Sequence, residues 1–227
     1  MYQYNDDSLM LHNDLYQINM AESYWNDGIH ERIAVFDLYF RKMPFNSGYA
    51  VFNGLKRVVN FIENFGFTNE DITYLKSIGY EEDFLNYLKD LKFTGNIKSM
   101  QEGEICFGNE PLLRVEAPLI QAQLIETILL NIINFQTLIA TKASRIRQIA
   151  THDTLMEFGT RRAQEIDAAL WGARAAFIGG FDSTSNVRAG KLFNIPVSGT
   201  HAHALVQTYG DEYIAFKKYA ERHKNCV

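Results

Sequence analysis

Three short apolar runs in the second half of the chain each give way to a loop crowded with polar residues suited to anions. Residues 155–159 precede Thr160-Arg161-Arg162, residues 176–180 precede Phe181-Asp182-Ser183-Thr184-Ser185-Asn186, and residues 195–198 precede Gly199-Thr200-His201-Ala202-His203. A helix-like stretch follows each loop: 163–175, 186–193 and 204–222. Strands that alternate with helices this way predict a parallel sheet, and in such folds binding and catalytic groups collect where strands hand over to helices. Function is therefore expected in these three loops.

The first half reads as mixed α+β. Asn13 or Asp14 is placed to cap a helix from residue 15 to about 26, where Asn26-Asp27-Gly28 breaks it. Residues 33–40 are β-branched and aromatic enough for a strand, ended by Arg41-Lys42-Met43-Pro44. Apolar residues at Leu55, Val58, Val59 and Ile62 keep helical spacing, Thr68 with Asp71 resembles a capping box, and Phe84, Leu85 and Leu88 form a further helical stripe. Short strands are expected over 95–117, with turns at Glu102-Gly103 and Gly108-Asn109-Glu110-Pro111. After Pro118, well suited to a helix start, an apolar-rich helical pattern persists through Ile149, with a break expected near Asn134. The fold class is thus mixed α/β: an amino-terminal α+β domain over 1–117, then a long helix and the first βα units of an incomplete, irregular α/β barrel over 118–227. A closed barrel uses eight units and roughly 250 residues, so only its beginning is expected within this chain.

Composition narrows the function. With 22 Lys+Arg against 27 Asp+Glu and a net charge of -5, the chain has no basic surface to track a nucleic-acid backbone, and no nucleic-acid partner is expected. Its start, Met1-Tyr2-Gln3-Tyr4-Asn5-Asp6-Asp7, is polar and acidic rather than basic and then apolar, which predicts a cytoplasmic protein. Residues 124–140 approach membrane-spanning length but include Glu126, Asn131, Asn134 and Gln136, so a buried or interface helix is expected and no membrane partner. Cys106 and Cys226 have no neighbouring Cys or His at ligand spacing and read as reduced bystanders.

If His201 and His203 lie on one strand, a spacing of two points both side chains the same way. Three readings follow: hydrogen-bonded structural histidines, a metal pair, or nucleophilic or acid–base work by one of them. Spacing does not choose among them. The metal pair would define a metal-dependent α/β-barrel hydrolase, for which His12, His30, His152 and His223 lie too far from the three loops to complete a ligand set, and no resident metal site is expected. Around the pair, Gly199 permits close approach and Thr200 offers a hydroxyl and an N–H to an anion. Arg161 is suited to bidentate phosphate contact, whereas Arg162 is better read as internally paired. Ser183 heads a loop composed like a phosphate-receiving helix start, though plain N-capping fits equally. Phe158, beside Gly159, either stacks on a planar ring or fills core, and Tyr16 on the first helix reads from spacing alone as core or rim. Three anion-suited loops on one edge together predict a phosphorylated small-molecule substrate.

The chain resembles the nicotinate phosphoribosyltransferase family. The similarity is carried in order by Asn13-Asp14-Leu15-Tyr16-Gln17, Phe36-Asp37-Leu38-Tyr39-Phe40-Arg41-Lys42, Glu110-Pro111-Leu112-Leu113-Arg114-Val115, Asn134-Phe135-Gln136-Thr137 through Thr141-Lys142, Phe158-Gly159-Thr160-Arg161-Arg162-Ala163-Gln164, Gly179-Gly180-Phe181-Asp182 and Gly199-Thr200-His201-Ala202-His203. The resemblance implies transfer of phosphoribosyl from phosphoribosyl pyrophosphate to nicotinate, giving nicotinate mononucleotide and pyrophosphate in NAD salvage, with Mg²⁺ and with ATP hydrolysis coupled through a phosphohistidine. It implies that His203 is that histidine, that Tyr16 stacks on the pyridine across a homodimer, that Thr200 contacts the nicotinate carboxylate and that Arg161 binds phosphate. Phe158 and Ser183 join them as substrate-binding candidates. In many family members a serine follows the histidine, where this chain has Ala204. Family members also run well beyond Val227, so a truncated, non-catalytic chain of the family is the alternative within it.

Overall fold

A computed structural model describes residues 9–223. The first seven residues and Asn225-Cys226-Val227, for which expectations were given above, lie outside them. Two compact units divide the chain after Thr141.

In the first unit, α1 (Leu15–Asn26) precedes β1 (Ile33–Leu38) and β2 (Ala50–Val51). Three helices follow, α2 (Leu55–Glu63), α3 (Asn69–Ser77) and α4 (Glu82–Asp90), then β3 (Asn96–Ser99), β4 (Ile105–Cys106) and β5 (Leu113–Pro118). The expected capping box is present: Thr68 Oγ1 accepts from Asp71 N at 3.1 Å and Asp71 Oδ2 from Thr68 N at 2.8 Å. The expected cap of α1 is not. Asp14 occupies the N-cap position without a side-chain hydrogen bond, and Asn13 Nδ2 instead donates to the carbonyls of Met10 at 3.0 Å and Leu124 at 2.8 Å.

The sheet is antiparallel in the order β1-β5-β3, with Ile33 opposite Pro118, Leu38 opposite Leu113 and Asn96 opposite Glu116. β5 alternates as a half-buried strand should: Leu113, Val115 and Ala117 point into the core, Arg114 and Glu116 to solvent. A second pair, β2 with β4, places Ala50 opposite Cys106. Cys106 is a buried thiol, and burial pushes its pKa up to about 11.

The long helix α5 (Leu119–Ile149) runs without the break expected at Asn134, which is exposed and leaves the helical ladder undisturbed. By length and apolar composition α5 qualifies as a membrane span. In this unit its Ile120, Leu124, Ile125, Ile128 and Ile133 are fully buried in one core with Phe52, Phe84, Leu88 and Leu112. That burial is why the compact units part at Thr141 and not at the expected boundary after Ala117, where strand merely gives way to helix. Farther along α5, the hydroxyls of Thr141 and Thr137 accept from Val51 N at 2.9 Å and Asn53 N at 3.1 Å, pairing backbone donors that burial would otherwise orphan. Gly54, at φ +111°, opens α2 where an added Cβ would lie 3.1 Å from Ile133 Cδ1, so the close approach of α5 requires glycine.

In the second unit, β6 (Met156–Glu157) pairs in parallel with β7 (Ser183–Thr184), Met156 opposite Ser183 and Glu157 opposite Thr184. Thr184 bridges in parallel to Val197. The intervening helices are α6 (Glu165–Ile178) and α7 (Val187–Phe193). Residues 176–178, expected as a strand, are instead the last turn of α6, and the strand lies inside the predicted loop. A short apolar run does not distinguish strand from buried helix, and the alanines that dominate α6 favour helix. The single helix expected over 204–222 is two, α8 (His203–Tyr209) and α9 (Glu212–Arg222), parted by Gly210 at φ +67° and restarted by Asp211, whose Oδ1 accepts from Ile214 N at 2.8 Å.

Candidate functional site

The parallel register Glu157–Thr184–Val197 sends Phe158, Ser185 and Ser198 out of the sheet at the same edge. All three anion-suited segments therefore begin side by side. From β6 the chain enters a 3₁₀ turn, Thr160–Arg162, closed by Arg162 N donating to Gly159 O at 2.8 Å and by Arg162 Nη1 donating to Phe158 O at 3.2 Å. Arg162 is thus tied to its own turn through a carbonyl, in place of the ion pair expected for it. Arg161 is exposed, and Phe158 is partly buried.

Ser183 is not the loop residue it was expected to be. It lies in β7, and its Oγ is buried without a hydrogen-bond partner. Of the two readings of the 183–186 segment, plain capping is present: Asn186 Oδ1 accepts from Ala189 N at 2.9 Å and caps α7. In the third segment, Thr200 is exposed in irregular backbone and His203 is the exposed first residue of α8. The premise that His201 and His203 share a strand fails. The His201 ring instead packs on α9, with centroids 5.0 Å from Phe216 and 5.5 Å from Tyr219, an aromatic setting that suits a structural histidine. Among the described residues, no three His, Cys, Asp or Glu side chains gather closely enough to hold a metal ion.

The roots of these segments are clasped by a pair that sequence reasoning missed. Arg147 donates to the carbonyls of Gly180 at 2.7 Å, Ala150 at 2.9 Å and Asp153 at 2.8 Å, and pairs with Asp182. Asp182 also accepts from Leu155 N at 2.7 Å, and this backbone bond, followed by Arg147, holds its carboxyl below the usual carboxylate range. The sequence marks Asp182 only as a polar residue after Gly179-Gly180, while its partner is 35 positions away.

Tyr16 belongs to the first unit, on the exposed side of α1. It lines a concavity of about 450 Å³ with Asp14, Tyr39, Arg41, Glu126 and Asn131. Two segments widely separated in the chain, 13–17 and 36–42, thus contribute to one groove. The charge of Glu126, then partial burial and Asp14, raises the Tyr16 phenol above its ordinary pKa, so the ring is presented as a neutral phenol. Gln17 fixes the helix beneath it. Fully buried, it donates through Nε2 to Gln123 O at 3.2 Å and Glu126 Oε2 at 3.1 Å, and accepts from Thr127 Oγ1. Gln17→Leu keeps the volume but strands these partners, and is expected to lower unfolding stability by about 1–3 kcal/mol. A denaturant midpoint equal to that of the parent protein would show the network to be energetically idle.

The mixed α/β architecture is shared with solved structures of known enzymes. The crystal structure of human nicotinic acid phosphoribosyltransferase superposes with a TM-score of 0.81 at 39% identity, covering 86% of this chain and 40% of that one. Nicotinate phosphoribosyltransferase of Bacillus subtilis (strain 168) is 66% identical over all 227 residues, and nicotinate phosphoribosyltransferase 2 of Arabidopsis thaliana is 47% identical over 202 residues, 87% of this chain. Residues 11–134 match the nicotinate phosphoribosyltransferase (NAPRTase) N-terminal domain, and the chain belongs to that family. It spans 46% of the length of the Bacillus protein and 36% of the Arabidopsis one.

Proposed function

We propose that this chain forms the amino-terminal part of a nicotinate phosphoribosyltransferase, which joins nicotinate to phosphoribosyl pyrophosphate and releases pyrophosphate on the route to NAD. The observation that carries the reading is the parallel edge from which the segments bearing Arg161, Thr200 and His203 depart, in a chain 66% identical to the Bacillus enzyme. Breaking the C1–oxygen bond of phosphoribosyl pyrophosphate builds positive charge on the ribose and negative charge on the departing pyrophosphate. Such a reaction is served chiefly by positioning and by cations placed around the phosphates.

Arg161 supplies a cation that its turn does not consume. Thr200 offers a hydroxyl and an N–H for the nicotinate carboxylate, and the rings of Phe158 and Tyr16 suit a planar pyridine, Tyr16 serving the site of a second copy in a homodimer. Ser183, enclosed in β7, is the candidate with least access to a ligand. His203 is the assigned phosphohistidine: a ring nitrogen attacks the γ-phosphorus of ATP, and the P–O bond to ADP breaks with its electrons leaving on ADP. Mg²⁺ is assigned to the substrate phosphates, its common location where protein ligands are few. A cytoplasmic setting accords with Cys106 as a buried thiol.

The test is product formation by the full-length protein with nicotinate, phosphoribosyl pyrophosphate, Mg²⁺ and ATP. Failure to form nicotinate mononucleotide when all four are present refutes the assignment. In the same assay, Arg161→Lys is expected to weaken phosphoribosyl pyrophosphate by about 1–3 kcal/mol and nicotinate far less, because lysine lacks the bidentate fork. Equal losses for both substrates would return Arg161 to a structural role.

A further inference from the structure

We propose that Glu157 is a positioning residue that ties the Arg161 turn to the β7 segment and so sets the phosphate-binding geometry; this rests on the phosphoribosyltransferase reading above. Glu157 ends β6, and both oxygens of its carboxylate are committed. Oε1 accepts from Gly159 N, inside the turn that carries Arg161, and Oε2 accepts from Thr184 Oγ1 at 2.7 Å, in the neighbouring strand. Its main-chain carbonyl also accepts from Ser185 N at 2.9 Å. One residue thus grips both segments through side chain and backbone.

The hydrogen bonds continue beyond it. Thr184 is fully buried, and its hydroxyl, donating to Glu157, accepts from Asn186 N at 3.0 Å; Asn186 in turn caps α7. The donor-to-acceptor sequence therefore runs from the start of α7 through the Thr184 hydroxyl to the Glu157 carboxylate, where the Gly159 amide donates from the other side, and such linked bonds polarise and stiffen one another.

The residue types follow from this geometry. Two donors converge on the side chain from different segments, and only an acceptor-only group satisfies both at once. Glutamine would turn its NH₂ toward one of them. Glycine at 159 leaves room for this contact: an added Cβ would lie 2.7 Å from Glu157 Oε1, so the end of that side chain would have to shift. Arg161 lies two residues beyond that amide, and Arg162 closes the same turn. A shift at Gly159 therefore moves the exposed guanidinium of Arg161 against the β7 segment.

In the full-length protein, Glu157→Gln and Thr184→Val are each expected to raise KM for phosphoribosyl pyrophosphate about tenfold or more, with KM for nicotinate changing little; Thr184→Val, which strands the Asn186 N–H and a Glu157 oxygen, should also lower the melting temperature by a few degrees. Thr184→Ser, which keeps the hydroxyl, should restore the parent value. The double variant should be no worse than the poorer single, because both changes break one linkage. Calorimetric binding of inorganic pyrophosphate reads the same loops without turnover and should weaken in parallel. Parent protein that binds pyrophosphate but forms no nicotinate mononucleotide would refute the reaction while the variants still test the linkage. Variants that bind pyrophosphate and phosphoribosyl pyrophosphate as tightly as the parent overturn the proposal. So does loss for both substrates together with a lowered melting temperature that Thr184→Ser does not rescue. Failure of the parent to bind pyrophosphate overturns both.

Discussion

His203→Ala in the full-length protein is expected to abolish transfer of labelled phosphate from ATP to the protein and to uncouple ATP hydrolysis, while slow ATP-independent formation of nicotinate mononucleotide persists. The two substrates would still be bound and oriented without the imidazole, which is why transfer survives at a reduced rate. His201→Ala should leave labelling intact, because that ring is packed against Phe216 and Tyr219 and not beside His203 on a strand. The pair of substitutions separates two chemistries. A phosphohistidine requires one imidazole, a metal site requires both. Should the two variants be equally damaging, and should a transition-metal chelator that spares Mg²⁺ remove the activity, the metal-dependent hydrolase reading replaces the phosphohistidine.

Phe84→Ala is expected to lower unfolding stability by about 3–5 kcal/mol. Phe84 is fully buried on α4, with its ring centroid 5.9 Å from that of Trp25 and 6.1 Å from that of Tyr80. Trp25 belongs to α1, so the cavity opens beneath the helix that presents Tyr16. A loss of this size is a large share of the roughly 5–15 kcal/mol that holds a typical domain folded. Thermal or denaturant unfolding measures it, and a cost below about 1 kcal/mol would mean that Trp25 and Tyr80 collapse into the vacated space.

What the sequence revealed and what it hid divide by range. The Thr68–Asp71 capping box and the helix at 15–26 depend on residues three or four apart, and both helices form where expected. The strand of 113–118 shows its alternation directly in Leu113, Val115 and Ala117. The run at 176–178 misled because three apolar residues carry no period of their own, and α6 simply extended through them. The division at Gly210 was visible in principle, since Gly followed by Asp marks a helix end and a new cap, but the apolar spacing on either side masked it. At the site, exposed candidates such as Arg161, Thr200 and His203 were legible as residue types. Their supporting groups were not. Glu157 depends on Thr184, 27 positions away, and Arg147 on Asp182, 35 away, and neither partnership leaves a local pattern.

The antiparallel pairing of β1 with β5 also sets a timetable. β1 is synthesised about 80 residues before its partner strand, and the apolar face of α5 that seals the same core comes later still. Until then Ile33, Val35 and Phe36 have no sheet to join, and among the described residues they stay exposed on an edge strand. The nascent first unit must therefore wait through the synthesis of α2, α3 and α4 with an adhesive strand exposed, the interval in which chaperones have most to protect.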